Sequence, residues 1–402
     1  MNIWIFNHHA LTPDMSGGTR HYDFAKELVK RGHSVTIVAS SFHYSKYKEM
    51  KEYGANEYII EGIESMKFIW IKTPPYLGNG LDRVKNMLSY SYKVLDIIPK
   101  LKLEKPDIII GSSVHLFAVY AAYRLSQKYD TPFIMEVRDI WPQTLIDMGI
   151  SKWHPFIIGL GRLEKFLYKK ADKIISNLPY AYEHIEKFVP KDKVVWIPNG
   201  VDLDNITYTS KEKSKKFVII YTGAIGVANN LTLLVEVAEK LQEKNIFFRI
   251  VGDGAEKEKF KKLVNNKQLK NISIEDSVAK NQVSEILKSS DILYISIKDS
   301  PLYKYGISMN KIFDYMAAGR VVVISSNARN NPIKDAKAGY SIEPDNLEQL
   351  EKAILDIYHL PQEKRNELGK KIRNYAEENY SISVLTDKLE KLLEDEVKKH
   401  NA

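Results

Sequence analysis

Ser308, Asn310, Lys311 and Asp314 stand close together in the run YKYGISMNKIFDYMAAGRVVV, residues 303–323. The pattern predicts about three turns of helix beginning after Ser308, ending at Gly319 and leading into a buried strand. Ser308 suits an N-cap, and a helix N-terminus receives anions through its free N–H groups and positive dipole end. Residues 310, 311 and 314 share one face, because positions three and four apart are helix neighbours. A diphosphate at that end would set its ribose about one turn along, where Asp314 accepts from both hydroxyls. Lys311 would meet the phosphates. A surface helix that carries a lysine and an aspartate by chance is the plainer account.

Other stretches repeat the theme. YTGAIG places Gly223 and Gly226 after a strand, where a turn without side chains lets a phosphate approach the backbone. FRIVGDGAEKEKF does the same at Gly252 and Gly254, and SSDILYISI sets a Ser-Asp pair before a buried strand. SGGTRHYDFAKEL puts Gly17 and Gly18 ahead of a helix, a second anion-friendly end. A single glycine turn is weak evidence; several at successive strand-to-helix switches are stronger.

The elements that must hold these residues alternate along the whole chain. NIWIFN, SVTIVAS, KFIWIK, PDIIIGSS, TPFIMEVRD and KIISN read as strands, with helical stretches at 19–32 and near 82–103, 115–129 and 155–170. The rhythm pauses at VVWIPNGVDLDNITYTSKEKSKK and restarts with FVIIYTGAIG, a helix over about 229–243, FFRIVGDG, ISIED, ILYISI and RVVVISS. Alternating strand and helix predicts parallel sheets covered on both faces, an α/β chain of two doubly wound domains. The boundaries expected are 1–198, 199–380 and a C-terminal helix over 381–402 that packs back on the first domain. A cleft between the domains is the expected site. The 402 residues are 44% hydrophobic, enough for two cores, and contain no cysteine, which excludes a disulfide framework and a thiolate zinc site. The net charge of +8 is uneven, with 27 basic against 21 acidic residues over 1–200. That excess suits an anionic partner or simply a solvated surface. The basic residues are scattered without a stacking platform, so a nucleic-acid binder is not expected. Neither a leader peptide nor an apolar run of spanning length is read, and a cytoplasmic chain is expected.

The order Gly17-Gly18, WIPNGVD, VGDG, SSDILY and a carboxylate before YMAAG resembles retaining glycosyltransferases of family 4 over nearly the whole chain. EVRDIWPQTL and KYGISMNKIFDYMAAG resemble a narrower bacterial branch that includes L-fucosamine and related aminosugar transferases of O-antigen and capsule assembly. The resemblance implies the GT-B fold, two Rossmann-like domains facing a cleft. It implies a nucleotide sugar, UDP-linked, on the C-terminal domain, and a polyprenyl-diphosphate-linked saccharide acceptor on the N-terminal one. The family pattern has two glutamates eight residues apart; the second corresponds to Asp314 and the first falls on Gly306. The Arg and Lys that many members carry after the YTGAIG strand are replaced by Ala224 and Asn229-Asn230, leaving Lys311 and Lys304 to neutralise charge. By resemblance the turn at Val278 and Lys280 meets the base, and Ser308, Met309 and Asn310 offer backbone groups to the diphosphate. Asn230, with Gly17, Gly18, Gly223, Gly226 and Gly252, completes the nucleotide-sugar set.

In the first domain the catalytic candidates are His115, Arg138 and Asp139, with Ser112 and Ser113 beside them. His115 could equally be a helix-start residue, and Asp139 could merely hold Arg138. His8 and His9 follow the first strand. No metal-ligand spacing is present, so no metal or other cofactor is expected, and helix ends with lysines would stabilise the leaving diphosphate. Retention would follow from same-face attack assisted by the leaving phosphate. Two rivals remain: a nucleotide-sugar 2-epimerase of the same fold, and a catalytically silent sugar-nucleotide-binding subunit. SKWHPFIIGLGRLEKFLYKKADK combines aromatic, aliphatic and basic residues as interfacial helices do, so residues 152–170 are either a peripheral membrane contact or a core-facing helix. Trp153 favours the first and Phe156 the second.

Overall fold

The computed structural model describes residues 1–78, 80–113 and 115–402. The chain divides into two compact units. The first comprises Met1–Thr12, Thr19–Pro198 and Leu385–Ala402; the second comprises Pro13–Gly18 and Asn199–Val384.

In the first unit, β1 (Asn2–Phe6), β2 (Ser34–Ala39), β3 (Tyr58–Ile63), β4 (Met66–Ile71), β5 (Ile108–Ser113), β6 (Phe133–Val137), β7 (Lys173–Ser176) and β8 (Val194–Trp196) form one sheet. Their order is β8-β7-β6-β5-β1-β2-β4-β3. The inner strands are rich in Ile, Val and Phe and pair in parallel, and β5 is buried at all six positions, as a strand covered on both faces must be. β3 differs: it runs antiparallel to β4 at the edge and is half-exposed. Glu64 and Ser65 join the two strands with φ of 44° and 66°, the primed two-residue turn that suits a twisted hairpin.

Helices Leu81–Ile97, Leu116–Tyr129 and Pro155–Lys170 lie side by side, the middle one packed on both neighbours. Pro155–Lys170 buries Ile157, Leu160, Leu167 and Tyr168 against the sheet, so it is a core-facing helix, while Trp153 stands exposed before it and Phe156 is half-buried. Residues 385–402 of the last helix return to this unit, where Arg31 donates to Asp387 at 2.7 Å and Glu390 at 2.8 Å.

In the second unit, β9 (Phe217–Thr222), β10 (Ile246–Val251), β11 (Ile272–Glu275), β12 (Ile292–Ser296), β13 (Val321–Ser325) and β14 (Tyr340–Ile342) pair in parallel in the order β11-β10-β9-β12-β13-β14. Read from its first strand this is the three-two-one-four-five-six order of a dinucleotide fold. Helix Asn310–Ala317 connects β12 to β13 and is shorter than the pattern implied. It is also no surface helix: Ile312, Phe313, Tyr315, Met316 and Ala317 are all buried. Helix Gln362–Tyr380 crosses its C-terminal end so closely that a Cβ on Gly369 would lie 2.1 Å from the Gly319 carbonyl oxygen. Arg373 then donates to the Ala317 carbonyl at 2.5 Å and to that of Ile206 at 2.8 Å, closing the helix end. The helix expected over 229–243 spans only Thr232–Lys240, because Asn230 adopts a left-handed conformation at φ 33°.

Candidate functional site

In the second unit the polar residues of helix Asn310–Ala317 point inward. Tyr315 locks the helix to the end of β9, its hydroxyl accepting from the Thr222 N–H at 2.6 Å. This sets Lys311 against the turn after β9. Its Nζ donates to the Tyr221 hydroxyl at 2.7 Å and to Asn229 Oδ1 at 3.4 Å, and lies 4.0 Å from the Tyr221 ring centroid. No carboxylate pairs with it among the described residues, and burial pushes its ammonium down to about 7. Gly223, at φ 128°, is glycine for two reasons: the left-handed backbone, and a lysine whose Nζ a Cβ would approach to 2.8 Å.

Asp314 has a partner that its spacing did not reveal. Lys280 Nζ donates to its Oδ2 at 2.5 Å, and both side chains are largely buried. Lys311 and Asp314 therefore serve different groups rather than one shared face. The main chain of the Lys280 turn is held in turn by the loop Pro13–Gly18: Lys280 N–H donates to the Met15 carbonyl and Asn281 N–H to that of Pro13, each at 3.2 Å.

Several sequence-derived candidates have structural explanations instead. Ser308 does not cap the helix; Met309 holds the cap position without a side-chain bond, and Ser308 Oγ accepts from Asn199 N–H at 2.8 Å. The helix N-terminus at Asn310 is thus left uncapped, with its first N–H groups unclaimed by a side chain. Gly18 makes room for a side chain, since a Cβ there would lie 2.0 Å from Asn310 Nδ2. Gly17, beside it, has φ 138°. The helix that follows, Arg20–Lys30, carries Asp23 in its first turn, which opposes an anion there. Gly252 lets two loops cross, because a Cβ would lie 1.8 Å from the Gly223 carbonyl oxygen. Asn230 is bound to Asp345 through its Nδ2. Gly226 borders open space, Val278 is half-buried, and Lys304 is exposed over the Tyr305 ring.

The first unit gathers its polar residues at the ends of β1, β5 and β6. Glu136 accepts from Arg20 Nε at 2.8 Å, His21 Nε2 at 2.7 Å and Ser112 Oγ at 2.5 Å. Burial opposes its charge, yet His21 and Arg20 hold it well below the usual carboxylate range. Arg20 also donates to the carbonyls of Ile197 and Pro198, tying this network to the end of the unit. Next to it, His115 accepts from Ala118 N–H at 3.2 Å through Nδ1 and shares a 2.7 Å bond with His8 Nδ1 through Nε2. His115 is therefore the helix-start residue of the plainer reading. With burial holding both rings neutral, His115 keeps its proton on Nε2, and His8 carries its own on Nε2, a buried donor with no partner among the described residues. His9 stacks on His8 at 4.3 Å, and both its ring nitrogens are likewise unpartnered. Arg138 is half-buried and Asp139 exposed, and they form no ion pair among the described residues. Ser113 Oγ accepts from the Arg138 N–H at 3.2 Å.

Sequence reasoning missed Tyr221, Tyr315, Asn199 and, of the Glu136 network, Glu136, Arg20 and His21, having singled out only Ser112. Tyr221 carried a signal, the aromatic directly before the YTG turn; Glu136 did not, because it sits inside a strand between apolar neighbours. Among the described residues no group of three or more His, Asp or Glu is arranged to hold a metal ion, and no helix is long and apolar enough to cross a membrane.

Residues 16–205 match the profile of Glycosyltransferase Family 4, and residues 204–375 that of Glycosyl transferases group 1. WcaI of Escherichia coli (strain K12), whose name assigns it to colanic acid biosynthesis as a glycosyl transferase, is 22% identical over 396 residues, 91% of this chain and 93% of its own. Sucrose-phosphate synthase of Thermosynechococcus elongatus superposes with a TM-score of 0.75 at 14% identity, over 98% of both chains. HepE of Anabaena, solved with UDP and glucose, gives 0.68 at 13% identity, over 98% of this chain and 100% of its own. Structural likeness at such identities speaks to the fold.

Proposed function

The chain is a GT-B glycosyltransferase of the family 4 type, and from that premise we propose that it moves a sugar from a UDP-linked donor to a lipid-linked saccharide, with retention at the anomeric carbon. The observation that carries this reading is Lys311: a half-buried ammonium with no carboxylate partner among the described residues, set beside a glycine turn and an uncapped helix N-terminus. Such a group is stabilised by an anion that arrives with the ligand. HepE, which binds UDP, supports the nucleotide, and the name of WcaI supports a place in surface-polysaccharide assembly. EVRDIWPQTL and the motif around Asp314 support the L-fucosamine-like branch.

In this mechanism Lys311 and the N–H groups at Asn310 take up charge on the leaving diphosphate. Asp314, oriented by Lys280, accepts from the ribose hydroxyls, and the turn at Val278 meets the base. As the bond from the anomeric carbon to the diphosphate oxygen breaks, the acceptor oxygen attacks on the same face and passes its proton to the departing phosphate. No step in this account needs a metal ion. The acceptor would be held by the first unit, working at the cytoplasmic face of the membrane.

A thermal-shift panel tests the reading. At 100 times its dissociation constant a ligand adds about 2.7 kcal/mol of stability, so UDP and UDP-sugars should raise the melting point while ADP and GDP leave it unchanged. A flat response to every nucleotide refutes the donor assignment. Turnover that EDTA abolishes and Mg²⁺ restores refutes the lysine account of the leaving group. One rival has an observation behind it: Gly306 stands where the family pattern has a glutamate, which suits a subunit that binds without turning over. A UDP shift with no transfer to any lipid-linked acceptor would favour that rival.

A further inference from the structure

Beside the Glu136 network, the first unit holds a second polar cluster that the mechanism does not use. β1 ends at Phe6, which pairs with Val38 of β2 and Gly111 of β5, and Ser113 of β5 pairs with Val137 of β6. These strands are parallel, so the residues just past them come to one edge of the sheet. Those residues are His8 and His9 after β1, the segment 40–44 after β2, His115 after β5 and Arg138 after β6. Helix Leu81–Ile97 begins beyond β4, which is parallel to β2, and carries Arg83 in its first turn. Main-chain bonds fix the loops: Ser40 N–H donates to the His8 carbonyl at 2.9 Å, and Arg138 N–H to Ser113 Oγ at 3.2 Å.

Rings line this edge. His8 stacks between Tyr90 and His9, at 4.4 Å and 4.3 Å, and Tyr44 tilts over His9 at 5.4 Å. Tyr44 and Tyr47 stand in the short hairpin formed by Phe42–His43 and Lys48–Glu49. Phe42 and Tyr47 both lie against Tyr76, at 5.0 Å and 5.9 Å. Tyr90 and His8 are buried, whereas Tyr44 is 38% and Tyr47 42% exposed. Tyr47 is held at φ 51°, a left-handed backbone that bulky residues rarely adopt. A set of rings that runs from the core out to solvent presents apolar faces and polar tips together.

The charge at this edge is positive. Burial first, then Arg83 and Arg138, hold the His9 ring neutral. Arg83 also acts on His8, His115 and Tyr76, and Arg138 on Tyr44, so the two guanidinium groups bracket the rings. The acids nearby have partners or form no pair with them. Glu136 is held by Arg20, His21 and Ser112, Glu49 accepts from Ser41 Oγ, and Asp82 accepts from Lys85 at 2.9 Å. No carboxylate pairs with Arg138 among the described residues. Neutral His9 has both ring nitrogens buried and unpartnered, one a donor and one an acceptor, which is what a hydroxyl group needs. Two guanidinium groups beside it suit a carboxylate or a phosphate.

We propose that this edge of the first unit binds an acidic saccharide: Arg83 and Arg138 take its anionic group, His9 a neighbouring hydroxyl, and Tyr44 the face of its ring. The inference rests on the transferase reading and deepens it, because it makes the acceptor a saccharide that bears a carboxylate or a phosphate on the sugar itself. A bare anion is not the expected ligand, since nothing on it uses the neutral imidazole or the rings.

The test is saturation-transfer NMR on the purified full-length chain without nucleotide. The probes are methyl β-D-glucuronide, glucose 6-phosphate, methyl β-D-glucoside and inorganic pyrophosphate. At least one acidic sugar should bind ten-fold or more tightly than the neutral glucoside, and salt should weaken it. The glucuronide ahead identifies a carboxylate, and glucose 6-phosphate ahead a phosphate. Arg138→Gln and Arg83→Gln should each weaken the acidic sugar by about ten-fold or more, the worth of a charged hydrogen bond, and narrow its lead over the glucoside. Tyr44→Ala should weaken acidic and neutral sugars alike. Melting points and the UDP-induced shift should stay unchanged, and if Arg83→Gln unfolds the chain, Arg138→Gln and Tyr44→Ala still decide. The proposal is overturned if neither acidic sugar binds, if the glucoside binds as well as they do, or if Arg138→Gln keeps the full preference. Pyrophosphate that binds as tightly as the acidic sugars also overturns it, because the site is then one for a bare anion. A UDP shift without acidic-sugar binding removes this site and leaves the transferase reading; acidic-sugar binding without any nucleotide shift does the opposite.

Discussion

In the first unit the buried Glu136 carboxylate is met by Arg20, His21 and Ser112; in the second the half-buried Lys311 ammonium is met, among the described residues, only by a phenol and an amide oxygen. The surfaces are contrasted the other way. Among the described residues the first unit exposes thirteen of the fourteen exposed large apolar side chains, the second one. A charge satisfied within the protein serves the fold, whereas a buried charge left short is an invitation to a ligand. The second unit is thus incomplete on the inside, where an anion would complete it. The first meets its buried carboxylate from within and is incomplete on its outside.

The largest effect expected from breaking this contrast comes from Glu136→Gln. It leaves Arg20 and His21 buried without their counter-charge, which should cost about 3–5 kcal/mol of stability in chemical denaturation. A loss near zero would mean the network is solvated and the contrast false. Lys311→Met, by comparison, should leave stability intact or raised, because it removes an uncompensated buried charge, while UDP affinity falls by roughly 10–150-fold, the worth of a charged hydrogen bond. Proton linkage sharpens the point. With the free ammonium near 7, below its ordinary 10.4, a bound diphosphate raises it again. UDP binding at pH 8 should therefore take up a proton, seen by calorimetry in buffers of different ionisation heat, and the uptake should vanish in the Met variant. Asp314→Asn should weaken UDP binding without changing that uptake.

The effect that accrues most gradually belongs to the histidine stack. Burial first, then Arg83 and Arg138, push His9 down to about 3. Unfolded, it titrates near 6.5. Between those values the unfolded chain binds the extra proton, so stability falls as pH drops below about 6.5, by up to roughly 1.4 kcal/mol per unit from this ring, and levels off near 3. His9→Asn should flatten the slope by that amount in urea titrations run across the acid range.

The parallel strands were legible because each is a run of Val, Ile and Phe between turn residues, and both sheets follow from that alternation. β3 was not: its pattern is half-polar, and Glu64-Ser65 makes a left-handed turn without the glycine or asparagine that announces one. At the site, Lys311 and Asp314 were legible from their place on the helix, but their partners Tyr221 and Lys280 come from 90 and 34 residues away. Spacing says nothing about such contacts. The glycines misled for a related reason. A backbone that needs room looks the same in sequence whether the neighbour is a phosphate or, as at Gly252, another carbonyl.

The return of residues 385–402 to the first unit sets an order of events during synthesis. Arg31 and His33 are made before residues 199–384, and their partners Asp387 and Glu390 after them. Between them the ribosome must add the 186 residues 199–384, which form the second unit. At about 5–20 residues per second that takes on the order of 10–40 seconds. Throughout that interval the first unit lacks its final helix, with the Arg31 guanidinium still unpaired to it. The second unit therefore has all its residues before the first does, although most of it lies later in the chain, and a nascent chain halted before Leu385 would carry a complete second unit attached to a first that lacks its final helix.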